Sequence, residues 1–112
     1  MGADHTLVFY GVRYKIAEAE IDALEARTDP RQVLARQHRL RSRWGRFATV
    51  DGGSTHYLFI GEELGIVGLE GSFEVARDAG QIAGIVAGVA ERLIRAGIGD
   101  APRLYVQFSP DA

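Results

Sequence analysis

Cysteine is absent from the 112 residues, which excludes a disulfide scaffold, a thiolate zinc site and a cysteine nucleophile. Lysine is nearly absent, because twelve of the thirteen basic residues are arginine. With the abundant alanine and glycine this marks a GC-rich coding bias, so small residues alone argue little. A dominant charge is lacking too: 13 basic against 15 acidic side chains leave a net charge of -2, and nothing global draws the chain to nucleic acid or an anionic membrane. No apolar run approaches the roughly 20 residues that span a bilayer. The amino end, Met1-Gly2-Ala3-Asp4-His5, lacks the basic stretch and apolar block of a secretory signal. A cytoplasmic protein without a membrane partner is expected.

Chemical motifs are equally sparse. There is no Gly-x-x-x-x-Gly-Lys-Ser/Thr segment, no Gly-x-Gly-x-x-Gly after a strand and no Gly-x-Ser-x-Gly elbow, so no cofactor is expected. His5, His38 and His56 stand apart without the i,i+4 spacing of a metal site on one element, and no metal is expected. Glu62-Glu63 reads as a turn, and Glu70 and Glu74 have no identifiable partner for acid and base work.

What remains is a pattern of elements. Residues 6–16 are β-branched and aromatic, with Val8, Tyr10, Val12, Tyr14 and Ile16 on one face and Leu7 and Phe9 on the other. Residues 17–27 form a short acidic helix stopped at Thr28-Asp29-Pro30. Asp29 caps the next helix and Pro30 occupies its first turn; the pattern extends this helix over 31–43, with Val33, Leu40 and Trp44 on the packing side and Arg36, Arg39 and Arg43 in a stripe beside them.

Residues 47–50 and 55–61 read as a hairpin about Asp51-Gly52-Gly53-Ser54, and 64–69 complete a three-strand meander. Tight turns put Phe47, His56, Leu58, Ile60, Val67 and Leu69 on one face and Ala48, Val50, Tyr57, Phe59, Leu64 and Ile66 on the other. Asp78 with Gln81 forms a capping box for a helix over 79–96, ended by Arg92, Arg95 and Gly97. Its expected core stripe is Ile82, Ile85, Val86, Val89 and Leu93. Residues 103–108 make the last strand.

The order β-α-α-β-β-β-α-β implies a single α+β domain over 1–112. It is expected as a two-layer sandwich in which about five mostly antiparallel strands carry the helices on one face, a ferredoxin-like elaboration. One apolar sheet face is then left uncovered. Gly80, Gly84 and Gly88 recur every fourth residue on a helix with no charge from Ala79 to Ala90, a ridge suited to a subunit contact or to tight packing within the monomer. These two surfaces imply a homodimer.

Between Pro30 and Val50 there are six arginines and no acid. The stripe Arg36, Arg39 and Arg43, with Trp44 beside it, suits an anion or an acidic protein surface better than nucleic acid, while the acidic segment over 17–29 offers a neutralising neighbour within the chain. His56, with Tyr10, Arg13 and Tyr57, forms the one catalytic set that distant residues could assemble, with His56 as base. The sequence therefore favours a small homodimeric binding or interaction module. A cofactor-free enzyme or small-molecule binder with a pocket between sheet and helices is the alternative, followed by an anion or nucleic-acid binder acting through the arginine helix.

Overall fold

The computed structural model describes residues 4–68 and 72–110; the expected strand residue Leu69, and Glu70, lie outside the described residues. Strand β1 spans His5–Ile16. A single 3-10 turn, Glu18–Glu20, leads into helix α1, Ile21–Glu25, and helix α2 follows over Pro30–Gln37. Strands β2, Arg41–Ala48, and β3, Ser54–Gly68, precede helix α3, Ala79–Arg95, and strand β4, Arg103–Ser109. The result is an α+β fold whose four-stranded sheet runs β2-β3-β1-β4 with every pair antiparallel. Five strands were expected, and the ferredoxin-like order is matched only roughly.

The missing strand has a local cause. Glu62 and Glu63 do not turn; they pair with Tyr10 and Phe9 inside β3, and the ladder resumes at Gly65 opposite Val8, leaving Leu64 as the extra residue of a bulge. The inserted residue shifts the alternation by one, so Ile66 still joins Leu7 and Phe9. The hairpin differs too. Ala48 pairs with Ser54 around the loop 49–53, where Asp51 Oδ1 accepts from the Gly53 amide at 3.0 Å and from the Thr49 hydroxyl. This register lies an odd number of residues from the tight turn expected, and an odd slip exchanges faces. Phe47 therefore packs with Phe59 rather than beside Leu58.

Helix α2 stops six residues short of Arg43, at a Schellman end. The Leu40 amide reaches Ala35 O at 2.9 Å, the Arg39 amide reaches Arg36 O at 3.4 Å, and Arg39 holds φ 59. Leu40 and Ala35 are both buried in the core, supplying the apolar contact of the motif. Helix α1 ends the same way: Thr28 N to Ala23 O is 2.9 Å and Arg27 has φ 61. Glycine would be cheaper at both left-handed positions by about 1 kcal/mol, as Gly97 shows at the end of α3.

All three helices cover one sheet face. Leu24, Ala35, Val89 and Leu93 pack there on Val12, Ile16, Leu58 and Ile60. The opposite face buries Leu7, Phe9, Phe47 and Phe59 without a helix, because the sheet curls on itself. Gln107 Nε2 on β4 reaches Ala48 O on β2 at 3.1 Å, and Ser109 Oγ reaches Arg46 O at 2.6 Å, bringing the two edge strands together across the aromatic cluster. Gly11 and Gly61 face one another in the β1–β3 ladder. A Cβ on Gly11 would lie 2.1 Å from Ile60 O, and one on Gly61 2.2 Å from Tyr10 O, so the close crossing requires both glycines.

Candidate functional site

The early end of α2 splits the expected arginine stripe. Arg36 stays on the helix, Arg39 sits in the connection, and Arg43 is carried by β2. Arg36 and Arg43 nevertheless both line an open cavity of about 620 Å³ between the α1–α2 pair and β2. Arg27 and Arg41 line it as well, with Trp44 in its wall. Arg39 faces a separate cavity of about 420 Å³ with Arg92 and Arg95. Of the four arginines that line the larger cavity, the expected stripe contains Arg36 and Arg43; Arg41 counts only among the six arginines of residues 30–50, and Arg27 lies outside that segment, since helical periodicity cannot join either to Arg36.

Arg27, Arg36, Arg41 and Arg43 line this cavity together with Glu25 and Glu63; Arg41 and Arg43 stand opposite Gly61 and Phe59 in the ladder, on the helix-free side of the edge strand β2, so the cavity wraps that edge. Arg43 Nε is tied to Glu63, and Arg36 Nη2 reaches Arg27 O at 3.0 Å. Arg27 and Arg41 make no side-chain hydrogen bond or ion pair among the described residues. Gln32, also in the lining, is 4% exposed. Its Nε2 donates to Leu24 O at 3.1 Å, which fixes the amide orientation, since a flip would set oxygen against oxygen. Its Oε1 has no partner.

The acidic segment neutralises a different arginine. Arg31 donates to both Asp29 oxygens at 2.9 Å and to Glu20 Oε2 at 2.6 Å, while Asp29 Oδ1 also caps α2 through the Arg31 amide at 2.9 Å. The Arg31 hydrogen bonds hold Asp29 below the ordinary carboxylate range. Glu20 is lowered as well, chiefly by the Ala17 amide and then by Arg31.

A second surface is apolar. Of the expected α3 core stripe only Val89 and Leu93 are buried. Ile82 and Val86 are 48% and 36% exposed, because an open groove separates the amino-terminal half of α3 from β1, β3 and β4. Beside it Leu104, Val106 and Phe108 of β4 are 58%, 66% and 43% exposed. Leu104, Ile82 and Val86 share a groove of about 470 Å³ with Val8, Leu64 and Val75. The glycine ridge lies open: a Cβ on Gly84 meets nothing within 4 Å, and those on Gly80 and Gly88 meet only the nearby Asp78 and Arg92 side chains. Tight packing within the monomer does not account for the ridge.

The catalytic set is divided by the sheet. Tyr10 packs against the helix-covered cluster, and His56 lies near Trp44 with ring centres 6.3 Å apart. Arg13 and Tyr57 lie on the opposite face, where the Arg13 guanidinium sits 4.1 Å from the Tyr57 ring centre, 4.7 Å from that of Tyr105, and donates to Gln107 Oε1 at 2.9 Å. His56 therefore shares no pocket with Arg13 and Tyr57. Tyr14 donates to Asp100 at 3.3 Å, and burial with the Asp100 charge raises its hydroxyl pKa. Among the described residues no group of three or more His, Asp or Glu side chains could hold a metal ion, and no helix is long and apolar enough to cross a membrane.

Comparison with models of protein families, with curated proteins and with solved structures finds no match to this chain.

Proposed function

We propose that the chain is a small interaction module that works as a homodimer, with the face made by α3 and β4 as its contact surface. The observation that carries this reading is the exposed half of α3 beside the exposed row Leu104, Val106 and Phe108. Five large apolar side chains at these exposures present on the order of 400 Å² of surface, equivalent to about 10 kcal/mol per protomer before the cost of association. With the groove lining and the ridge, the face approaches the roughly 800 Å² per partner of a standard interface.

A second copy is the occupant that fits. The groove lies beside the projecting Val106 and Phe108, so two copies about a two-fold axis exchange ridge and groove reciprocally. From Ala79 to Ala90 the helix carries no charge, so its symmetric mate approaches without like-charge repulsion. Arg77, at the groove rim, is held by Leu64 O at 2.9 Å and Ala76 O at 2.8 Å.

Light scattering at about 50 µM protein, where a dimer of ordinary affinity is populated, should report twice the chain mass. Val106→Glu and Ile82→Glu should each return it to one chain mass, with circular dichroism unchanged because both side chains are exposed. A monomeric native chain at that concentration overturns the proposal. So does a dimer that both substitutions leave intact.

A further inference from the structure

We infer that the cavity between the α1–α2 pair and β2 binds a small planar anion: an aromatic or heteroaromatic ring bearing an N–H or O–H donor and joined to a phosphate or carboxylate. Three independent features converge there. The first is electrostatic. Four arginines and two glutamates line the cavity in a chain whose net charge is -2, and the guanidinium groups of Arg27 and Arg41, without a hydrogen-bond or ion-pair partner among the described residues, offer the fork that fits a phosphate or carboxylate.

The second feature is an acceptor in need of a donor. Gln32 is buried, its Nε2 is committed to Leu24 O, and its Oε1 has no partner among the described residues. A buried polar atom left this way costs stability; the atom lies just behind the cavity wall, closed to solvent, and a ring N–H or O–H seated against Gln32 supplies the missing bond once the wall side chains shift to admit it. An inorganic anion, with acceptors only, cannot.

The third feature lies in the backbone. Arg27 occupies the left-handed C′ position of α1, where glycine would relieve strain, yet its side chain lines the cavity. Arginine holds that conformation at a cost in local stability. Trp44 in the cavity wall supplies a ring face for stacking, and about 620 Å³ lies in the range of small-molecule sites. This inference does not depend on the dimer, since none of these residues lines the groove between α3 and β4.

Trp44 is the single tryptophan of the chain, so its fluorescence reads the site without a label. Adenosine 5′-monophosphate and 4-aminobenzoate serve as probes for the two sources of such an anion, with benzoate and inorganic phosphate as controls. At least one probe should change Trp44 emission saturably at millimolar or lower concentration and bind more tightly than either control. Affinity should fall as salt rises. Arg27→Gly and Arg36→Ala should each weaken binding about fivefold, and Arg27→Gly should do so without lowering the melting temperature. Gln32→Leu should weaken the donor-bearing probe and leave benzoate unaffected.

No saturable change with either probe up to about 10 mM, beyond which binding carries little specificity, overturns the inference. Equal affinity for inorganic phosphate removes the planar ring from it. Unchanged binding by Arg27→Gly removes the site.

Discussion

Two alanines placed at glycines should move stability in opposite directions. In Gly11→Ala the new Cβ falls 2.1 Å from Ile60 O and 2.9 Å from Gly61 Cα. Both obstacles are backbone atoms of the central β1–β3 ladder, so no side chain can swing aside. The strands must part, weakening ladder bonds and loosening Phe59 over the curled face, and overpacking of this kind costs about 3 kcal/mol. Gly84→Ala puts its Cβ in open space. There the gain of helix propensity, about 1 kcal/mol, acts alone. For a domain of this size 1 kcal/mol is worth roughly 4 °C, so melts followed by circular dichroism should separate the variants by about 16 °C across the native value. The measurement belongs at about 1 µM protein, where self-association contributes least. Gly61→Ala should resemble Gly11→Ala, and the double variant should cost less than the two together, because strands already parted accept the second methyl. Equal melting temperatures for Gly11→Ala and Gly84→Ala would refute the close crossing and with it the curled sheet.

Phe59 touches the rings of Phe9, Phe47, Tyr57 and Tyr105 at centre distances of 5.2–6.2 Å, so Phe59→Ala should cost about 4 kcal/mol in urea unfolding; less than about 1 kcal/mol would mean that the helix-free face is not a core. Asp29→Asn keeps a capping acceptor but loses the charge on Arg31, at a cost of about 2 kcal/mol at neutral pH. Asp29 has a folded pKa below its unfolded value, so its contribution is complete above pH of about 4 and is lost as pH falls through the folded pKa. The Asn variant should therefore lose the corresponding part of the native chain's acid destabilisation, and parallel stability curves below that pH would contradict the pairing. Arg39→Gly should raise the melting temperature by roughly 4 °C by relieving the left-handed end of α2, and a fall would show that the Arg39 side chain holds the α2–β2 connection.

The parts legible in the sequence are those fixed by short-range chemistry. Asp78 with Gln81 and Gly97 bracket α3 within a residue, Asp29-Pro30 starts α2, and the alternation of residues 6–16 gives both faces of β1. The misreadings arise where the deciding interaction is not written in its usual residue. Schellman ends announce themselves by glycine, and here Arg27 and Arg39 take the left-handed position, so the pattern ran on through Trp44 as a helix. The bulge at Leu64 follows a pair of glutamates that resembles a turn. The five-residue loop after Ala48 shifts the hairpin by an odd number and sends Phe47 to the other face. Of the candidate residues, Arg36 and Arg43 come to one cavity only through the tertiary fold, and Gln32, proposed as a site residue for its unpartnered oxygen, has no signature in sequence.

Local consistency is the ordinary rule for a sequence that specifies a fold, and violations without structural return are where function is expected. This chain breaks the rule in three places. Two arginines hold backbone conformations that glycine would hold more cheaply. A buried glutamine keeps an acceptor unpaired. The uncharged part of α3, Ala79 to Ala90, carrying three glycines, leaves Ile82 and Val86 exposed beside a strand with its apolar side bare. Arg27 and Gln32 meet at the cavity beside β2, Arg39 lies at a separate cavity with Arg92 and Arg95, and the third violation lies at β4. The residues that line the arginine-bearing cavity and those that line the α3–β4 groove do not overlap, so a second copy seated on the α3–β4 face would leave the arginine-lined cavity open. Neither proposal requires the other, and each would remove a different defect of the isolated chain: the proposed association would cover the bare apolar surface, and the proposed anion would give Arg27 and Gln32 their partner.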